Sequence, residues 1–191
     1  KIIFLGEKSN AYRTWVKRGS VGWSRVLFSD RVNFISDPHK PLYAIRNFED
    51  FRLAISAVEK FCKPFPVNFE TTLRYIVSEL LYNAIEHGGK IYNYNQSEKK
   101  FPALMGLSYY KERNEIRLIV ADLGIGIKRH LEQAYQSYPN DSTAIINAIK
   151  PNISGTFSNT NPYKGNDNAG MGLYISSNIT RKLSSEMYII S

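Results

Sequence analysis

Glu79, Asn83 and His87 recur at four-residue intervals inside an apolar helical pattern. One helical face would therefore carry a carboxylate, an amide and an imidazole in line. A carboxylate near a bound water can act as a general base, and carboxylate and amide oxygens are both hard ligands suited to Mg²⁺. Two glycine-bearing segments follow, Asp122-Leu-Gly124-Ile-Gly126 and Gly170-Met-Gly172-Leu173. An acid at a strand end can accept a hydrogen bond from an exocyclic amine, and nearby glycines let the backbone approach a planar ring. Glycines opening a helix leave N–H groups that attract phosphate. Each segment also has a plainer reading: a solvated polar face, an Asp-x-Gly turn, and a glycine hinge at the foot of a lid. Taken together, in this order and spacing, they read as a nucleotide site.

The elements that must hold these residues can be traced along the chain. Residues 1 to about 47 mix short β-rich runs (Ile2–Leu5, Val26–Phe28, Val32–Ile35, Leu42–Ile45) with Gly19, Gly22, Pro38 and Pro41. Phe51, Ala54, Ile55, Val58 and Phe61 are spaced for an amphipathic helix over 48–61, ended by Lys63-Pro64-Phe65-Pro66. Asn68 is expected to cap the next helix, whose stripe of Leu73, Ile76, Val77, Leu80, Leu81, Ala84 and Ile85 runs to Gly88-Gly89. Ala103–Tyr110 and Glu115–Ala121, parted by Lys111–Asn114, predict a hairpin. Short helices are expected near Lys128–Tyr138 and Ser142–Lys150, then a polar loop rich in Asn, Ser, Gly and Thr from Pro151 to Asn168. A loop of that length in a compact domain is usually functional or mobile. A helix from Gly172 to about Leu183 and a strand at Met187–Ile190 complete the reading.

Composition bounds the class. The chain has 191 residues, 43% of them apolar and 22% charged, which suits one soluble domain with a real core. No apolar run is long enough to cross a bilayer, and Lys1–Gly6 is too short for a secretory signal. With Cys62 as the single cysteine, no disulfide can form within the chain, and the cytoplasm is the expected compartment. Cys62 ends an apolar helical pattern and is expected to be a small buried residue rather than a reactive thiol. A net charge of +8 favours anionic partners. The basic residues are spread out, Lys17-Arg18 and Lys99-Lys100 being the densest pairs, which disfavours nucleic acid.

The three segments resemble the boxes of the GHKL ATPases, the group of gyrase, the heat-shock chaperone ATPase, sensor histidine kinases and mismatch-repair ATPases, which share the Bergerat ATP-binding fold. Residues 71–88 (TTLRYIVSELLYNAIEHG) are similar to its N box, 120–127 (VADLGIGI) to its G1 box, and 168–173 (NAGMGL) to its G2 box. The likeness covers about residues 45–191. It implies an α/β two-layer sandwich, with a mixed, largely antiparallel sheet covered on one face by the helices near 48–62, 68–88 and 172–184. Residues 1–44 would be a β-rich extension or the end of a preceding domain.

Carried over to this chain, the resemblance implies ATP and Mg²⁺ as cofactors. Asn83 would ligate the metal, Glu79 would be the base orienting water or a hydroxyl, and His87 would border the phosphates. Asp122 would bind the adenine amino group, with Gly124, Gly126 and Ile127 shaping the pocket. Gly170, Met171, Gly172 and Leu173 would hold the phosphates, and residues 127–169 would form the ATP lid. SELLYNAIEHG is similar to the N box of anti-sigma-factor serine kinases and some sensor kinases, and STAIINAIKPNISGT to the lid of stand-alone bacterial histidine-kinase-like ATPases.

Two departures limit the carry-over. The fold usually continues into strands carrying a threonine near the phosphates, for which this sequence offers no position, so it reads as truncated or as a short member. His39, the histidine outside the N box in the N-terminal part, lies between Pro38 and Pro41, which disfavours a phospho-acceptor helix. The expected function is a Mg²⁺-dependent ATPase or protein kinase in signalling, with a protein partner and with a homodimer compatible with it. The alternatives are a non-catalytic module gated by nucleotide and, more remotely, a nucleic-acid-binding protein.

Overall fold

A computed structural model describes residues 42–86, 103–122, 124–155 and 170–191. The sequence-based strands before residue 42, His39, His87, Leu123 and the segments 87–102 and 156–169 lie outside the described residues.

The order is β1 (Leu42–Ile45), α1 (Phe48–Cys62), α2 (Val67–Glu86), β2 (Ala103–Tyr110), a 3₁₀ turn (Lys111–Arg113), β3 (Glu115–Ala121), α3 (Gly126–Leu131), α4 (Asp141–Ala148) and α5 (Gly172–Lys182). The sheet runs β1-β2-β3, with both pairings antiparallel. No parallel pair occurs among the described residues, so the mixed character expected of the sheet is not seen there. The hairpin falls where its pattern predicts, and Asn114 turns it in the left-handed conformation at φ 48°.

Period-two alternation builds the main core. Tyr43 opposes Met105 and Ile45 opposes Ala103, while Met105 opposes Val120 and Leu107 opposes Leu118. These residues meet Ala54, Ala57, Val58 and Phe61 of α1 and Leu73, Val77, Leu81 and Ala84 of α2 in one cluster. Ala44, Leu104 and Ser108 alternate onto the other face and are buried as well, so β2 is covered on both sides. Cys62 is fully buried, and burial, helped by the Glu70 charge, pushes its thiol up to about 11. It is the inert core residue its context predicts.

The junction between α1 and α2 is set locally. Asn47 caps α1 by accepting the Asp50 N–H at 2.9 Å. After α1, Phe61, Phe65 and Phe69 stack in succession at 5.9 and 5.5 Å, with Tyr109 edge-on to Phe65 at 5.0 Å. The Glu59–Arg74 ion pair at 2.9 Å crosses the two helices. The cap expected at Asn68 is displaced: α2 begins at Val67, and the Pro66 carbonyl accepts the Phe69 and Glu70 N–H groups. Pro66, lacking an N–H, suits a helix start, which leaves Asn68 inside the first turn.

Three further boundaries differ from the sequence pattern. The helix expected near Lys128–Tyr138 stops at Leu131, because Glu132 accepts the Tyr138 N–H and the Ser137 hydroxyl, each at 3.0 Å, and folds the chain into a turn. α4 starts at Asp141, capped by Asn140, which takes the Thr143 N–H at 2.8 Å. Met187–Ile190 is no strand: the segment is irregular, with Tyr188 and Ile190 81% and 85% exposed. A β pattern makes a strand only where a ladder partner takes its backbone groups.

Candidate functional site

Helix α2 carries the first group. Leu73, Val77, Leu81 and Ala84 face the core, so Glu79 and Asn83 fall on its half-buried flank. α5 packs along α2, and its first residue is Gly172. A Cβ on Gly172 would run into the Glu79 carboxylate oxygen. A side chain here would have to push the end of Glu79 aside, so the N-box carboxylate stands close against the start of the G2-box helix.

Burial raises the Glu79 pKa above the usual carboxylate range, and a hydrogen bond from the Tyr75 side chain opposes that rise. The first N–H groups of α5 receive no side-chain cap, since Met171 holds the N-cap position without one. Uncapped amides at a helix start suit an anion. Gly170, two residues before, has φ +62°, and a Cβ there would lie 2.7 Å from the Ile153 backbone. The turn into α5 thus presses against the chain that follows α4.

Asp122 lies exposed at the end of β3, and its Oδ1 accepts the Gly124 N–H at 2.8 Å. The Asp-x-Gly turn foreseen as the plainer reading is therefore present. A carboxylate retains acceptor capacity beyond one such bond, so the turn and a ligand contact are compatible. Ile127 and Leu173 point into a second, small apolar cluster with Leu131, Ala144, Ala148 and Ile153. Gly126 and Met171 are, respectively, the first residue of α3 and the N-cap of α5.

The structure thus brings the sequence-predicted residues together in pairs. Glu79 meets Gly172, and Ile127 and Leu173 share one cluster, while Gly170 meets Ile153, a residue of the expected lid that was not among the site residues. Asn83 lies one helical turn beyond Glu79, and Asp122 with Gly124 lies at the strand end before α3. His87 is outside the described residues. Two participants escaped the sequence reading. Tyr75, one turn before Glu79, continues the Glu79–Asn83 face backwards, a signal that four-residue spacing could have supplied. Ser191 accepts the Ile127 N–H at 2.6 Å across 64 residues of chain, and no local pattern foretells it.

The donor set is compatible with a magnesium ion. Asn83 offers a hard amide oxygen on the half-buried flank, and among the described residues no group of three or more His, Cys, Asp or Glu side chains could hold a metal by protein ligands alone. Mg²⁺ typically uses one or two protein oxygens and completes its shell with water and substrate phosphate. A polyphosphate at the start of α5 would meet the Glu79 charge, which a cation would offset.

Comparison with family models matches residues 68–191 to the histidine kinase-, DNA gyrase B- and HSP90-like ATPases. The chain belongs to this family, an ATP-binding one, and its helices and antiparallel sheet agree with the family's α/β fold. Comparisons with curated proteins and with solved structures give no match. Among the described residues, no helix is long and apolar enough to cross a membrane.

Proposed function

We propose that this chain binds ATP with Mg²⁺ and acts as an ATPase or protein kinase in cytoplasmic signalling. The observation that carries the reading is the Glu79 carboxylate lodged against Gly172, where a candidate base meets uncapped helix amides. Phosphoryl transfer needs positioning and charge neutralisation more than covalent help. Asn83 would hold Mg²⁺, which when bound neutralises phosphate charge. Asp122 would receive the adenine amine, with Gly124, Gly126 and Ile127 around the ring. Gly170 to Leu173 would present backbone N–H groups to the phosphates, with His87 at their border. Glu79 would accept the proton of the attacking water or hydroxyl. Residues 127–169 would close as the lid of a domain spanning 45–191.

Within the family, the SELLYNAIEHG box supports a serine kinase acting on a protein partner, and a stand-alone sensor kinase catalytic domain is the nearest variant. Titration with ATP and Mg²⁺ tests the site: Asp122→Asn and Asn83→Ala should each weaken binding, and equal binding by all three proteins would overturn the reading. Glu79→Ala should abolish turnover while ATP still binds, and unchanged turnover would remove its role as base.

The second reading is a nucleotide-gated module without turnover. It is favoured by the small cluster that joins α3 and α4 to Leu173, a contact that a ligand at the start of α5 could tighten. ATP-dependent protection of residues 126–155, with no hydrolysis by the wild type, would select it.

A further inference from the structure

Helix α3 opens without a cap of its own. Its N-cap position is held by Ile125, whose side chain has no oxygen to receive the first N–H groups of the helix. The acceptor comes from far along the chain instead: Ser191 Oγ takes the Ile127 N–H at 2.6 Å. Ile127 is the second residue of α3, one of the two positions that an N-cap side chain ordinarily serves. Gly126 leaves room for the approach. It holds φ +78°, and a Cβ there would stand 3.0 Å from the same Ser191 oxygen. The route to this contact starts at the end of α5, where Ser184 turns left-handed at φ 51°. Its N–H goes to the Arg181 carbonyl and that of Ser185 to Thr180, which closes the helix. Leu173, at the opposite end of α5, packs with Ile127 against the same small cluster, so residues 185–191 must return toward the start of α5. The lengths agree: the helix from Leu173 to Leu183 spans about 15 Å, and residues 185–191, if extended, reach about 23–25 Å.

We infer that Ser191 is a positioning residue for the G1-box turn: its hydroxyl oxygen caps α3 from a distance and fixes Gly126 and Ile127 in place. The segment that carries it acts as a strap between the two glycine segments. It leaves the helix that Gly172 begins and ends on the helix that Gly126 begins. A turn held in this way meets a ligand already ordered. Without the bond, the first turn of a six-residue helix frays readily, and apparent affinity falls with the fraction of chains in the competent form. The link to nucleotide rests on the proposed ATP reading, in which Gly124, Gly126 and Ile127 surround the adenine, but the bond itself can be tested without nucleotide.

The test compares the full chain as wild type, Ser191→Ala and Ser191→Thr. By NMR without nucleotide, the Ile127 amide should exchange roughly threefold to thirtyfold faster in Ser191→Ala, the range expected for loss of a helix cap. Ser191→Thr keeps an oxygen at the same place and should restore most of the protection, while amides of α2 should exchange alike in all three. On titration with ATP and Mg²⁺, Ser191→Ala should bind roughly threefold to tenfold more weakly, and Ser191→Thr close to wild type. Unaltered exchange at Ile127 would overturn the cap and the inference with it. Faster exchange with unaltered affinity would show a bond without a positioning role and would also overturn it. So would an equal loss of affinity in Ser191→Thr, since the oxygen would then not be the group that acts. If the wild type binds no ATP, the proposed function fails and the positioning role with it, while the exchange rates still decide whether the bond exists. Should Ser191→Ala fail to fold, Ser191→Val against the isosteric Ser191→Thr makes the same comparison.

Discussion

Two clusters of buried apolar side chains among the described residues differ greatly in extent. Where α1 and α2 cover the sheet, fourteen buried residues from four elements join in one cluster, with β3 adding partly buried ones. On the side of α3 and α4, the buried apolar side chains among the described residues are Leu131, Ala144 and Ala148, with Ile127, Tyr135, Tyr138, Ile153 and Leu173 packed partly around them. Since apolar burial drives folding roughly in proportion to area, the first region holds the fold, and the second can open at a fraction of that cost. The candidate site lies on the boundary. Glu79 belongs to a helix anchored in the large core, whereas Leu173 and Ile127 belong to the small cluster. A rigid wall thus faces a cover of low stability, an arrangement suited to closing over a ligand.

The comparison is most severely tested at Leu81, which is fully buried in the main core. Leu81→Ala should destabilise the whole domain by about 2–5 kcal/mol, seen as a single cooperative shift in chemical denaturation. Gly170→Ala should come next, at roughly 1–3 kcal/mol, because a left-handed backbone and the Ile153 backbone both resist the added methyl. Its effect should concentrate in the turn before α5 and in residues 150–155, as amide exchange would show. Leu131→Ala removes a comparable side chain from the small cluster, yet should change global stability by only about 1 kcal/mol if a cluster of that size opens locally without the main core. Exchange protection should fall in α3 and α4 and stay constant in α2. An equal global loss from Leu81→Ala and Leu131→Ala would abolish the distinction.

The smallest effect concerns charge. The Glu79 pKa is raised on folding by burial, so the folded chain binds its proton more tightly than the unfolded chain. Below the unfolded value both states are neutral there and the cost vanishes. Between the two values the cost grows with pH, and above the folded value it is complete. Glu79→Gln should therefore melt slightly higher than wild type at neutral pH, with the difference shrinking toward zero as pH falls through the carboxylate range. A gap that widens in acid would reverse the sign argued for the site. Gain of stability with loss of function is the usual trade at such positions.

Much of the scaffold was legible without coordinates. Strand β1, the hairpin and helices α1, α2 and α5 follow from period-two and four-residue spacings, which local sequence determines directly. The three glycine and acid segments could likewise be assigned to a helix face, a strand end and a helix start. The misplaced boundaries have local causes that compete with periodicity. Pro66 outranks Asn68 as the opening of α2, and Glu132 captures the Tyr138 N–H and ends α3 early.

What this sequence determined by itself was the type and order of its elements and the chemistry of the side chains each would carry. Only the tertiary structure decided that Glu79 would abut Gly172, that Ser191 would reach the Ile127 amide, and that Met187–Ile190 would lack the pairing its pattern invites. Spacing along a chain fixes which face of an element a residue occupies. Which face it then meets depends on how distant elements pack, because close approach and hydrogen-bond partnership are properties of two surfaces at once.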